Sequence, residues 1–110
     1  MNITAHDTVA GLCTVVELVG QADVSTQSMA EAFAAEVAKA PQLLVVDLSS
    51  LSFIDSSALG VIVRTYRALH LSGGKLALVN PSPAVARILE LVDIAHTIPV
   101  YASIEEATAP

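Results

Sequence analysis

A chain of 110 residues, 54% of them hydrophobic and 15% charged, suits one globular domain with one real core; it is too apolar for a disordered segment and too short for two domains. The formal net charge of −6 repels a phosphate backbone, which argues against direct DNA or RNA binding and favours a partner with a basic face. The apolar runs are too short to cross a membrane, and Met1-Asn2-Ile3-Thr4 has no charged region leading into a long apolar one, so a cytoplasmic protein without membrane contact is expected.

The one cysteine, Cys13, allows no internal disulfide and sits in a strand-like run, where it reads as a small buried apolar residue. His6, His70 and His96 are scattered without ligand spacing, so neither a metal nor a cofactor is expected.

In chain order, Ile3 to His6 reads as a short edge strand and Asp7 to Gly11 as a turn. Leu12 to Val19 is β-branched and apolar, so the two strands pair as a hairpin. After Gly20-Gln21-Ala22-Asp23, a helix opens at Val24-Ser25-Thr26 with Ser25 as its cap. Met29, Phe33 and Val37 line its inner face, Glu31, Glu36 and Lys39 look outward, and Pro41 stops it. Leu43-Leu44-Val45-Val46 is a strand buried on both faces. Asp47, Ser49, Ser50 and Ser52 mark a loop that ends in Asp55-Ser56-Ser57, and Leu59, Ile62, Val63, Tyr66 and Leu69 then recur at helical spacing until Leu71-Ser72-Gly73-Gly74.

Lys75 to Val79 is the next strand; Gly73-Gly74-Lys75 lacks the spacing and the hydroxyl residue of a phosphate loop. Asn80-Pro81-Ser82-Pro83 starts a helix with Ser82 as cap and an apolar stripe of Val85, Ile88, Leu89 and Val92. Thr97 to Val100 is a last strand, and Ser103 with Glu106 forms a capping box for a short final helix that frays by Pro110. The alternation of strand and helix predicts crossover connections, hence an α/β fold: a single domain over residues 1–110 with a mixed four- to five-stranded sheet and about four helices mainly on one face.

The chemically suggestive stretch is Asp55-Ser56-Ser57. The first N–H groups of a helix lack internal partners and carry partial positive charge. Asp55 or Ser56 can cap this end, and a phosphate on Ser56 or Ser57 would be tolerated there. Taken alone, both serines also fit a purely capping role. Gly60 costs the helix roughly 1 kcal/mol relative to alanine, which points to a close approach by another backbone. Val61, one turn beyond Ser57 and off the apolar stripe, suggests a docking surface. Arg64 lies seven residues from Ser57, about 10 Å along the axis, and so reads as a partner contact or a solvated side chain rather than a clamp on a phosphate.

Val45-Val46-Asp47-Leu48 followed by Phe53-Ile54-Asp55-Ser56-Ser57-Ala58-Leu59-Gly60 resembles the signature of the STAS domain family, the anti-sigma factor antagonists. The Gly20 to Asp23 segment and the Ser82-Pro83 helix start are similar to that family as well, with Gln21, Ala58 and Asp93-Ile94 as departures. The resemblance implies that Ser57 is the regulatory phosphorylation site and that Asp23 lies near it; with the residue reading above, Asp23, Asp55, Ser56, Ser57, Ala58, Gly60, Val61 and Arg64 are the expected partner-binding residues. It implies that the unphosphorylated protein binds an anti-sigma factor with serine kinase activity, frees the sigma factor for transcription, and is reset by a serine phosphatase. An alternative within the family is an unphosphorylated structural subunit, for example of a transporter or ATPase complex. An enzyme is not expected, because Ser57 lies outside a G-x-S-x-G elbow and no histidine stands in recognisable relation to it.

Overall fold

The computed structural model describes residues 2–7, 13–22 and 26–108. Its strands are β1 (Asn2–Asp7), β2 (Cys13–Ala22), β3 (Leu43–Asp47), β4 (Leu51–Ile54), β5 (Lys75–Val79) and β6 (Val100–Tyr101). Its helices are α1 (Thr26–Ala38), α2 (Ser56–Leu71), α3 (Pro83–Leu91) and α4 (Ile104–Thr108), with a 3₁₀ turn at Ile94–His96. The expected turn at residues 8–11 and the expected cap Ser25 lie outside the described residues.

The sheet runs β1-β2-β3-β5-β6, with β4 paired to β2 off this path. β1 and β2 are antiparallel, and every other pair is parallel. The hairpin, the crossovers and the mixed sheet expected from the sequence are all present. The sixth strand is the addition: the stretch after β3, expected to be a loop, contains β4. β2 is long enough to serve both, since Cys13–Glu17 pairs with β3 and Gly20–Ala22 pairs with β4. Asp47 starts the connection by accepting the Ser49 N–H at 3.0 Å, and Ser52 fastens the new strand by donating to the Gly20 carbonyl at 2.9 Å.

Strand periodicity divides the core. Val16, Leu18, Leu44, Val46, Leu76 and Leu78 point to one face, where Met29 and Phe33 of α1, Leu59, Ile62 and Leu69 of α2, and Val85 and Leu89 of α3 cover them. Cys13, Val15, Val45 and Val79 point to the other, where Ile104 and Ala107 of α4 pack. Burial on both faces is why β3 reads as an unbroken apolar run rather than an alternating one. Three helices on one side and one on the other agree with helices mainly on one face. No helix among the described residues is long and apolar enough to cross a membrane.

Helix ends follow their local chemistry. Gly73 adopts φ +84° after the C-cap Ser72, and the Gly74 and Gly73 N–H groups donate to the carbonyls of Leu69 and His70 at 2.8 and 3.1 Å. This reversed pairing satisfies two of the carbonyls that the end of α2 orphans, and it needs a residue without a Cβ at the left-handed position. Ser82 caps α3 as expected: its hydroxyl accepts the Val85 N–H at 3.4 Å and donates to the Leu51 carbonyl of β4 at 2.8 Å. Ser103 accepts the Glu106 N–H at 3.1 Å, while the Glu106 carboxylate takes the N–H of Ala102 rather than that of Ser103 itself.

Three surface expectations are corrected. Glu36 is buried rather than outward, its carboxylate held by Lys39 at 3.2 Å within one turn of α1. Val92 falls at the C-cap of α3, where the helical stripe has ended, and is 51% exposed. The segment from Thr97 to Val100 contributes only its last residue to β6, because the 3₁₀ turn and Pro99 occupy the approach.

Candidate functional site

The site is built where β4 hands the chain to α2. Ile54 is buried, and Asp55 takes extended backbone angles (φ −101°, ψ 177°) as the N-cap. Its carboxylate accepts the Ala58 N–H at 2.9 Å, and its carbonyl accepts the Leu59 N–H at 3.0 Å. The cap is therefore Asp55, which leaves Ser56 and Ser57 as the first two helical residues, both exposed. Their hydroxyls have no bonding partner among the described residues. A hydroxyl that neither caps nor packs is available to another molecule, and the partially positive helix end around it tolerates a negative group. Replacing Asp55 with alanine is expected to lower stability by about 1 kcal/mol through loss of the cap, while Asp55→Ser keeps most of it; urea unfolding of the two variants checks this.

Ala58 and Leu59 turn inward and anchor this end of the helix, with Ala58 wholly buried. The expectation that Ala58 contacts a partner is corrected accordingly: its methyl group packs inside and faces no approaching molecule. Val61 is also corrected. It is 2% exposed, because α1 docks along that side of α2 through Ala30 and Ala34, whose small side chains let the helices come close. A helix with neighbours on two sides buries more than the single stripe that periodicity picks out.

Gly60 does permit a close approach, but by a side chain of its own helix. A Cβ at this position would lie 3.3 Å from the Nη1 of Arg64. Arg64 itself is exposed on the helix surface. Asp23 lies outside the described residues, so Asp55, Ser56, Ser57, Gly60 and Arg64 form the exposed or half-exposed cluster that the structure brings together.

One neighbour was not singled out from the sequence. Phe53 is 40% exposed, two residues before the cap, on a strand whose buried residues are Leu51 and Ile54. The signal was an aromatic residue in the run Ser52-Phe53-Ile54-Asp55 that leads into the cap, and an exposed ring close in the chain to two free hydroxyls suits a protein contact better than a solvated surface.

The STAS domain profile matches residues 2–107. This chain belongs to the STAS domain family. Among curated relatives, the anti-sigma F factor antagonist of Paenibacillus polymyxa is 33% identical over 89 residues, covering 79% of this chain and 76% of that protein. Among solved structures, an anti-sigma factor antagonist from Mycobacterium paratuberculosis superposes with a TM-score of 0.82 at 31% identity, covering 96% of this chain and 91% of the other. The anti-sigma factor antagonist SpoIIAA shares the STAS fold with this chain in its unphosphorylated form (TM-score 0.80, 24% identity, 96% and 92% covered). SpoIIAA in its phosphorylated form, from Bacillus, shares it too (TM-score 0.72, 21% identity, 96% of each chain covered).

Proposed function

We propose that this STAS domain is an anti-sigma factor antagonist switched by phosphorylation at Ser57. The unphosphorylated form binds an anti-sigma factor that is itself a serine kinase, and this frees the sigma factor in the cytoplasm. The Ser57 oxygen then attacks the γ-phosphoryl group of ATP on that kinase, its proton passes to a base of the kinase, and ADP leaves. The phosphorylated product dissociates, and a serine phosphatase restores the hydroxyl by hydrolysis.

The observation that carries this reading is the placement of Ser57: an exposed, unengaged hydroxyl on the second residue of a helix whose inner face is fully packed. Such a hydroxyl can be modified without disturbing the core beneath it. The likeness of the fold to both forms of SpoIIAA supports a switch that leaves the scaffold in place. Asp55 supports the site by fixing the helix start, and Ser56, Gly60, Arg64 and Phe53 supply the contact surface around the hydroxyl.

The test is incubation of the full chain with ATP and candidate anti-sigma kinases, followed by intact-mass measurement. One added phosphoryl group in the wild type and none in Ser57→Ala is the expected result. No addition with any kinase of this class would sink the reading and favour the alternative, a STAS subunit that docks in a larger complex without ever being modified.

A further inference from the structure

Arg64 does not hold its charge away from the helix. With Nη1 at 3.3 Å from the place where a Gly60 Cβ would sit, its side chain runs back toward the helix N-terminus across the strip that Gly60 leaves bare. Ser57, Gly60 and Arg64 share that strip, because seven residues make nearly two full turns. Cβ positions three residues apart are about 5–6 Å from one another, which puts the guanidinium within roughly 9 Å of the Ser57 Cβ at most. The 10 Å of axial rise that argues against a clamp separates Cα atoms, and the folded-back side chain closes much of it. A phosphate on Ser57 carries its terminal oxygens three bonds beyond Cβ and closes more.

No acidic group among the described residues pairs with the guanidinium. Among the described residues the ion pairs are Lys39 with Glu36 and His96 with Asp93. α1 presents Ala30, Ala34 and Val37 to the groove beside Arg64, while Glu31 accepts from Gln27 and Glu36 is held by Lys39. Asp55, the carboxylate nearest in the chain to Ser57, is engaged with the Ala58 N–H.

Resting on the reading of Ser57 as the phosphoacceptor, we propose that Arg64 is the intramolecular partner of the Ser57 phosphate, drawn onto it through the gap over Gly60. Guanidinium and phosphate pair with two parallel hydrogen bonds, a geometry that an ammonium cannot reproduce. Phosphorylation then alters the docking face twice over: it adds a dianion and withdraws the cation that a partner meets in the unmodified form.

The experiment installs phosphoserine at position 57 during translation, in the wild type and in Arg64→Gln and Arg64→Lys, and follows the ³¹P signal through a pH titration. The second pKa of the phosphate is expected to lie lower in the wild type than in R64Q by on the order of half a pH unit, because a nearby cation favours the dianion. R64K should recover part of the difference, and raising the salt should reduce it. Equal titration curves for the wild type and R64Q overturn the proposal. Because the phosphate is placed without a kinase, this result stands apart from the intact-mass test: failure there removes the physiological phosphoacceptor, whereas failure here removes only the pairing with Arg64.

Discussion

Protein phosphorylated at Ser57 is expected to bind its anti-sigma factor at least a hundredfold more weakly than the unmodified protein. The phosphate adds about −1.5 to −2 charges at a surface that otherwise presents a neutral hydroxyl, the Phe53 ring and Arg64. A partner fitted to the hydroxyl must either desolvate that charge or retreat from it, and a penalty of roughly 3 kcal/mol already exceeds a hundredfold in affinity. The chain's net charge of −6 favours a basic partner in the encounter, so the loss is expected mainly in dissociation rate rather than association rate. Ser57→Ala should bind like the wild type. Ser57→Asp, with a smaller group and a single charge, should fall between them. Titration calorimetry on the four forms reads this directly, and equal affinity of the phosphorylated and unmodified forms would count decisively against the switch.

Truncating Phe33 to alanine is expected to cost about 3–5 kcal/mol of folding stability. The ring is 1% exposed on the inner face of α1, packed with Met29 against the sheet. Phe33 belongs to the main core cluster, whose closely packed strand and helix side chains relax only partly into a void. Against a typical domain stability of about 5–15 kcal/mol, this is a large fraction. In urea the midpoint should drop while the slope stays constant. A loss below about 1 kcal/mol would mean that α1 is held by its backbone and small residues instead, and that the wall against Val61 is softer than its burial implies.

The two effects reflect what the chain makes legible and what it hides. β3, β5 and α2 are written in local patterns: unbroken apolar runs for strands buried on both sides, helical spacing for α2, Gly73 and Ser82 at the ends. The exposed hydroxyl of Ser57 is legible because cap chemistry is local, and Asp55 takes the capping role that leaves Ser57 free. β4 is not legible. Its burial runs in-out-out-in, Leu51 and Ile54 in with Ser52 and Phe53 out, which lacks the alternation that marks a strand. It becomes a strand because β2, some thirty residues earlier, is long enough to offer it backbone partners. The burial of Val61 is hidden for a related reason: it faces the seam between α1 and α2, and a seam between two helices has no signature within either one. Sequence spacing locates the Cα of Arg64, whereas its guanidinium sits a turn away, at the end of a long side chain.

The Ser82 hydroxyl, which receives from its own helix and gives to Leu51, has a mechanical consequence. It rivets the start of α3 to the strand that feeds the Ser57 turn, joining parts of the chain thirty-one residues apart. β4 is short and would slide easily if only β2 gripped it. With a second anchorage across its flank, the turn that presents Ser57 is pinned from two directions, so on the proposed switch a kinase would meet a fixed target instead of having to capture a wandering one.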